Sequence, residues 1–322
     1  MNVNIIVIFL ISGVLVFCSC GRNKTEELWA EEEAKLAEWI SENKPHLVMI
    51  NNGIYFERIG DEYVDNLKPD SVLRDNVLLD FECRLLEDGT VEEVSYREWW
   101  EYGAKSPSTY REGGPELWHY ERWVKMGIGR LRENERANIY VPSRLLDLVD
   151  FQTRVFTVHL KKVVNPDIKA YQETLMGNFM EQFGTAVDTI TVLDNGKDYH
   201  IMYYIADEGW GEEISATTSE VSTKTSEFYF MEDDDFRNGF RNKATTGFND
   251  DKSRFSTYIS RIFDNNPEKN NKPVRNRGKI IAVMPYRIMY GTELITDVDV
   301  YGHEQYVAPV ESVLMYEIQI DN

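Results

Sequence analysis

Two stretches, RANIYVP at residues 136–142 and KIIAVMP at residues 279–285, decide the fold of this chain. Each is a run with several apolar residues that ends in proline. The apolar run is typical of a buried strand. The proline marks its end, because proline cannot donate a hydrogen bond to the ladder of a sheet. A strand with alternating apolar residues follows each stretch, at residues 155–160 in the first half and at 313–320 in the second. The same pair of strands therefore occurs twice, which indicates an internal repeat.

The segments that precede these strands also recur in one order. An amphipathic helix opens each half, with apolar residues at helical spacing around Leu36 and around Phe179. Two strands follow in each half, and the second of them runs to an acidic turn with glycine. These strands are residues 53–59 and 77–86 in the first half, and residues 199–205 and 227–231 in the second. We therefore predict an α+β chain with two copies of one module, each a mainly antiparallel sheet with a helix packed on one face, and an N-terminal helix ahead of the first.

The N-terminus has the pattern of an export signal. Residues 4–17 are apolar and uncharged, and the chain becomes polar directly after Cys20. This run is shorter than the ~20 residues of a membrane-spanning helix, but it fits the apolar region of a signal peptide. Cys20 follows the small residue Ser19 and resembles the cysteine of a bacterial lipobox, which receives a lipid and becomes the first residue of the mature protein. We predict a signal peptide over residues 1–19 and lipidation of Cys20; the alternative is an N-terminal membrane anchor that is not cleaved.

Lipidation would place the rest of the chain in the cell envelope. We expect a protein anchored to the outer membrane through the lipid on Cys20, on the periplasmic side or at the cell surface. Cys83 is then the one remaining thiol, so no internal disulfide is expected. The turn at residues 165–167 predicts the domain boundary, with a first module over residues 20–165 and a second over residues 166–322.

Composition argues against several classes of partner. The chain has 55 acidic and 35 basic residues, a formal net charge of −20. Nucleic acid and anionic lipid headgroups would be repelled by this charge, so neither is expected as a partner. The five histidines have no paired spacing typical of a zinc site. We therefore predict no metal and no cofactor.

The repeated elements resemble the FKBP-type peptidyl-prolyl isomerase family, in the form found in membrane-anchored bacterial lipoproteins. In the first half the resemblance rests on a glycine-led first strand, on a strand with an acidic turn, and on a strand ending in Val-Pro-Ser. In the second half it rests on a Pro-to-Tyr-Gly segment and on the closing loop and strand. The segments are residues 52–56, 84–91, 132–143, 284–291 and 308–318. The resemblance implies two FKBP-like modules in tandem.

The resemblance also implies a site, an apolar cup lined by aromatic side chains in which an X–Pro bond is twisted. The uncatalysed barrier is ~18–20 kcal/mol, and lowering it needs no nucleophile or metal. By position, the cup of the first module has Trp123 as its floor, Phe81 and Phe156 as walls, and Tyr110 as a further aromatic side chain. The second module has Tyr290 at its Tyr-Gly pair and Tyr316 in place of the wall phenylalanine. Core packing is the alternative role for Trp123 and for Tyr290.

Each module departs from the family pattern in a different place. The first has Glu92 and Glu93 where the family has a Phe-Asp pair, and Leu146 and Asp147 where it has Tyr-Gly. A carboxylate would be costly inside an apolar cup. The second module has no tryptophan equivalent, and the nearest helical segment is residues 255–263.

Two functions follow as hypotheses. The first is a membrane-anchored folding helper with weak or lost activity, which would be an FKBP-type peptidyl-prolyl cis-trans isomerase if active. The second is a non-catalytic lipoprotein of the cell envelope that binds polypeptides or a fixed partner. In both cases the expected partners are exported polypeptides or an envelope protein.

Overall fold

The structure, a computed structural model, describes residues 24–70, 75–89, 91–101, 118–164, 167–214, 221–232, 238–245, 258, 261–263, 274–291, 295–298, 304–308 and 311–321. The chain divides into two compact units, Met1–Val163 and Val164–Asn322. Within the described ranges, no helix is both long and apolar enough to cross a membrane. Cys20 and the predicted signal peptide lie outside these ranges.

Unit 1 contains an antiparallel sheet with a helix on each face. Helix α1 covers residues 24–43, and helix α2 covers Trp118–Ile128. The strands are β1 (Val48–Asn51), β2 (Ile54–Ile59), β3 (Asn76–Leu85), β4 (Val91–Glu101), β5 (Arg136–Val141) and β6 (Arg154–Val164). Their order in the sheet is β1-β2-β5-β6-β3-β4. The strand that ends at the first proline motif, β5, and the strand after it, β6, are therefore central.

Each face of this sheet has its own core, because successive side chains of a strand point to opposite faces. In β5, Tyr140 packs with Leu36 and Ile40 of α1. Its neighbour Ile139 belongs to the core on the other face, together with Trp123 of α2. The sheet is thus covered on both sides, and both cores pass through β5.

Helix α1 is held on the sheet by a buried carboxyl group. Glu32 accepts hydrogen bonds from the backbone N–H of Ser143 (2.9 Å), from the Ser143 hydroxyl and from the Thr153 hydroxyl (3.0 Å). Ser143 opens the 3₁₀ turn Ser143–Leu146, and the residue before it, Pro142, provides no side-chain cap. Glu32 therefore caps this turn from a distant helix, and it joins α1 to the turn after β5 and to the loop before β6.

Unit 2 contains helix α3 (Ile168–Met180), a second six-stranded sheet and the short helix α4 (Tyr286–Tyr290). The strands of the sheet are β7 (Asp188–Asp194), β8 (Lys197–Asp207), β9 (Thr223–Phe230), β10 (Asn238–Thr245), β11 (Lys279–Pro285) and β14 (Val313–Ile320). Between the last two, β12 (Ile295–Val298) and β13 (Glu304–Ala308) pair as a separate hairpin. The order in the sheet is β10-β9-β14-β11-β8-β7.

The two sheets have the same connectivity. Strands β7 to β11 and β14 take the places of β1 to β6, and the pairs with described register are all antiparallel. The central register agrees as well. Phe156 lies opposite Ile139 and Tyr316 lies opposite Ala282, and each of these partners is the third residue before the proline that follows or ends its strand. The prediction of an α+β chain with two modules, each led by a helix, is confirmed.

The leading helix of unit 2 is held by a different polar side chain. The buried residues recur with the same spacing, Glu32, Leu36 and Ile40 in α1 and Gln172, Met176 and Met180 in α3. The Gln172 amide donates a hydrogen bond to the backbone carbonyl of Glu311 (2.7 Å). Burial raises the pKa of the Glu311 carboxyl group, and the neighbouring Arg287 guanidinium offsets only part of this rise. A neutral amide thus joins the leading helix of unit 2 to the loop before its last strand, while the N–H that opens the turn after Pro285 donates to the Ser312 backbone carbonyl (2.9 Å).

We predict that Glu32→Ala lowers the free energy of unfolding of unit 1 by about 2–4 kcal/mol, because it leaves buried donors at Ser143 and Thr153 without an acceptor. Glu32→Gln keeps one acceptor oxygen and should cost less. Urea unfolding followed by tryptophan fluorescence measures both, with the exposed Glu38→Ala as a control expected within about 0.5 kcal/mol of wild type. If Glu32→Ala is as stable as this control, the hydrogen bonds of Glu32 do not hold the helix.

Candidate functional site

Trp123 lies on α2 with its side chain 6% exposed. Its indole Nε1–H donates a hydrogen bond to the backbone carbonyl of Leu145, at 2.7 Å. Leu146 and Phe156 are fully buried and belong to the same core cluster. The structure therefore brings together the predicted floor, one predicted wall and the turn after Pro142. The contacts described for Trp123 are those of a packed side chain with a satisfied N–H group.

The turn after the central proline is followed by a residue with positive φ in both units, although the turn has four residues in unit 1 and five in unit 2. In unit 1, Leu146 is its last residue and Asp147 follows with φ 56°. In unit 2, Tyr290 is the last residue of α4 and Gly291 follows with φ 66°. Leu146 thus stands where unit 2 has Tyr290, and Asp147 adopts the positive φ that glycine adopts more easily. Unit 1 consequently has no hydroxyl group at this position.

In unit 2, Tyr290 stands beside a buried carboxyl group. Its hydroxyl donates a hydrogen bond to Glu227 Oε2 at 3.3 Å, and its ring centroid lies 5.2 Å from that of Tyr286. Tyr316 is fully buried on β14 and lies opposite Glu227 of β9. The two tyrosines assigned to the second cup therefore both lie next to Glu227. A phenol and a carboxyl group at this point form hydrogen bonds, where the family resemblance implies an apolar wall.

The inner face of β9 is polar, and the sequence analysis missed it. Thr223, Thr225 and Glu227 are buried in alternation along this strand. Neither threonine hydroxyl has a hydrogen-bond partner among the described residues. The corresponding strand of unit 1, β3, has the apolar residues Val77 and Leu79 buried in its core. The alternation Thr-Lys-Thr-Ser-Glu at residues 223–227 was the signal, since buried strand positions recur with a period of two.

The remaining site predictions fall partly outside the described residues. Phe81 lies in β3 next to a register shift, but its side chain is not described, and Tyr110 lies outside the described ranges. In the helical segment nearest to the place of the missing tryptophan, residues 255–263, Ile262 and Phe263 are buried in the core of unit 2. Cys83 is buried. In the part of the chain that the structure describes, no three His, Cys, Asp or Glu side chains are grouped to hold a metal ion.

Comparisons with known proteins find similarity only to solved structures, and that similarity is low. No family model and no curated protein matches the chain. Among solved structures, FkpA from Escherichia coli is 16% identical, with a TM-score of 0.35 over 52% of this chain and 75% of that one. The three FKBP domains of wheat FKBP73 are 13% identical, with a TM-score of 0.28 over 84% and 94%. A peptidyl-prolyl cis-trans isomerase from Pseudomonas syringae is 17% identical, with a TM-score of 0.31 over 44% and 96%. The structural neighbours named here are thus peptidyl-prolyl isomerases of FKBP type, and nothing about the activity of this chain follows from such scores.

We predict that Trp123→Phe lowers the free energy of unfolding by about 2 kcal/mol, because it removes buried volume and leaves the Leu145 carbonyl without its donor. The same substitution at Trp210, which is 63% exposed, should cost less than about 0.5 kcal/mol. Urea unfolding of the two variants provides the comparison. Equal stability of the two would contradict the packed role of Trp123.

Proposed function

We propose that this chain is an FKBP-like folding helper of the peptidyl-prolyl isomerase type, with weak or lost isomerase activity. The observation that carries the proposal is the repeated central frame. In both units a proline follows or ends a central strand, a short turn comes next, and an aromatic residue of the adjacent strand, Phe156 or Tyr316, faces the core at the same register. These are the positions at which the family resemblance implies the wall of a proline-binding cup.

We propose weak or lost activity because each unit has other groups where the family resemblance implies an apolar cup. In unit 1 the Trp123 N–H group is bound to the carbonyl of Leu145, and Leu146 replaces the tyrosine. In unit 2 Tyr290 is present, but Glu227 and Thr225 are buried on β9, the strand that pairs with β14. A substrate proline would have to be desolvated against these polar groups, which costs free energy. Each unit therefore keeps a different part of the proposed site.

The alternative is a non-catalytic protein that binds exported polypeptides or an envelope partner. It is favoured by the same divergence, because binding an unfolded chain needs apolar surface but no transition-state preference. Exposed apolar side chains in unit 1 include Val64, Leu67 and Val149, which are suited to such binding. Both hypotheses share the polypeptide partner and differ only in whether an X–Pro bond is isomerised.

We expect the full chain, reconstituted in lipid nanodiscs, to accelerate proline-limited refolding of a model protein only weakly and to suppress its aggregation. The test compares wild type with Trp123→Phe, Tyr290→Phe and the exposed control Trp210→Phe. Acceleration that is lost in one of the first two variants and kept in the control supports catalysis at that unit. Suppressed aggregation without acceleration supports the binding alternative, and absence of both effects contradicts the proposed function.

We further propose that the chain is held at the cell envelope by a lipid on Cys20, on the sequence evidence of the apolar run and the cysteine that follows it. Metabolic labelling with a fatty acid in the native host should label wild type and place it in the detergent phase after partitioning. Cys20→Ser should abolish both effects, whereas Cys18→Ser, in the segment removed with the signal peptide, should keep them. A wild-type chain without label contradicts the lipid anchor.

A further inference from the structure

A cleft opens in unit 1 between α1, the turn after β3 and the loop before β6, on the side of the unit that carries α1. Its volume is about 300 Å³. Its walls are formed by the apolar side chains Leu36, Trp39, Leu86 and Phe151. Two exposed residues of opposite charge, Lys35 and Glu87, stand at its rim. The cleft therefore combines four apolar side chains with the polar side chains of Glu32 and Thr153 inside and two charges at its mouth, and ligand sites commonly mix apolar walls with a few polar groups.

One wall of this cleft is built from strained backbone. Phe151 has φ 56°, a conformation that a bulky residue rarely adopts and that persists only where its surroundings hold it. The Arg154 guanidinium holds the loop by donating to Asp150 Oδ1 and to the backbone carbonyl of Gln152, both at 2.8 Å. The Phe151 ring packs edge-on against Trp29, with centroids 6.4 Å apart. The wall is thus fixed before any ligand arrives, which lowers the entropic cost of binding.

The equivalent place in unit 2 is filled by the unit's own side chains. By the spacing of the buried helix residues, Lys35 of α1 corresponds to Leu175 of α3, which is buried in the core under that helix. Tyr171, one turn earlier, packs against this core and donates its hydroxyl to the Met231 carbonyl at 3.1 Å. Among the described residues, the helix position that is an exposed lysine beside the cleft in unit 1 is thus a buried leucine in unit 2.

The polar groups at the bottom of the cleft already have partners. The Glu32 oxygens accept from Ser143 and Thr153, so they do not require a polar ligand atom. A cavity of about 300 Å³ lies at the lower end of the range for drug-sized ligands, roughly 300–1,000 Å³. It suits one large side chain better than a whole cofactor. At the rim, Lys35 can donate to a peptide carbonyl and Glu87 can accept from a peptide N–H.

We propose that this cleft binds one aromatic side chain of an extended polypeptide. Lys35 and Glu87 would form hydrogen bonds with the main chain of that polypeptide, on either side of the bound residue. The inference rests on the proposed function in one respect, that the chain binds unfolded polypeptides. It adds a binding place that is separate from both proline cups. The aromatic class follows from the size of the cavity and from its Trp39 and Phe151 walls, against which a ring can pack edge-on or offset.

The test uses a short fluorescent Gly/Ser peptide with one central phenylalanine, and the same peptide with alanine. Fluorescence anisotropy measures the binding of each to the full chain in nanodiscs. Lys35→Leu copies unit 2 and should fill the cleft, so we expect the phenylalanine peptide to bind at least about tenfold more weakly, a change of about 1.4 kcal/mol. Lys24→Leu makes the same exchange on α1 at an exposed residue outside the cleft and should bind as wild type does.

Several outcomes overturn the proposal. These are equal binding of the two peptides by wild type, equal losses in the two lysine variants, and full binding by Lys35→Leu. A melting temperature of Lys35→Leu at or above that of wild type confirms that lost binding is not lost folding. The refolding and aggregation measurements separate the two proposals, because peptide binding that disappears in Lys35→Leu stands even if the chain neither speeds refolding nor suppresses aggregation.

Discussion

The contact between Glu32 and Ser143 fixes the geometry on which unit 1 depends. The 3₁₀ turn after the central proline begins with a backbone N–H that no neighbouring side chain caps, and this N–H is buried. A buried donor must find an acceptor, and the acceptor comes from a helix that precedes the turn by more than a hundred residues. Once Glu32 is in place, the helical period puts Leu36 and Ile40 over Tyr140. The helix can then pack on the sheet in one register only.

In unit 2 the corresponding N–H, that of Tyr286 after Pro285, donates to the Ser312 backbone carbonyl (2.9 Å), and the leading helix contacts the same loop through a different group. Gln172 donates to a backbone carbonyl where Glu32 accepts from a backbone N–H, so the direction of the hydrogen bond is reversed while the helix position is kept. The residue that presents this carbonyl, Glu311, has φ 64° and a buried carboxyl group with a raised pKa. The repeat therefore preserves where the helix meets the loop before the last strand, and it does not preserve the residues that make the contact. Such divergence is expected when selection acts on the packing of a frame.

The sequence predicts the central strands and the leading helices because burial gives them a strong period. The edge strand β1 was not predicted, since Val48 and Met49 are exposed and break the alternation expected of a half-buried strand. Edge strand β7 was not predicted either, although Ile190 and Val192 are buried in alternation there. Strand β4 contains the Glu92-Glu93 pair, which the sequence comparison with the family indicated only as a change in the site. Of the site, Trp123, Phe156, Tyr290 and Tyr316 stay predictions by resemblance, and the structure places all four in or against the core of their unit. The hydrogen-bond partner of Trp123 could not be predicted, because it is a backbone carbonyl. Every residue has such a carbonyl, so the sequence does not indicate which one accepts.

The two units differ in the side chains around the proposed proline-binding cup, although the proposed isomerase activity would require an apolar cup in each. Twisting an X–Pro bond is favoured by a dry pocket that holds the amide without competing for its hydrogen bonds. In unit 2, Glu227 and the two threonines of β9 bring polar groups to this place, and in unit 1 the turn that ends at Leu146 supplies an aliphatic side chain and no hydroxyl. Neither change disturbs the strand order, because both occur at side chains that the frame does not require. A frame held by helix anchors and central strands therefore accommodates these different side chains without a change of fold. The cleft beside α1 is one described part of unit 1 in which, as we propose, an apolar side chain can be held without displacing a core side chain.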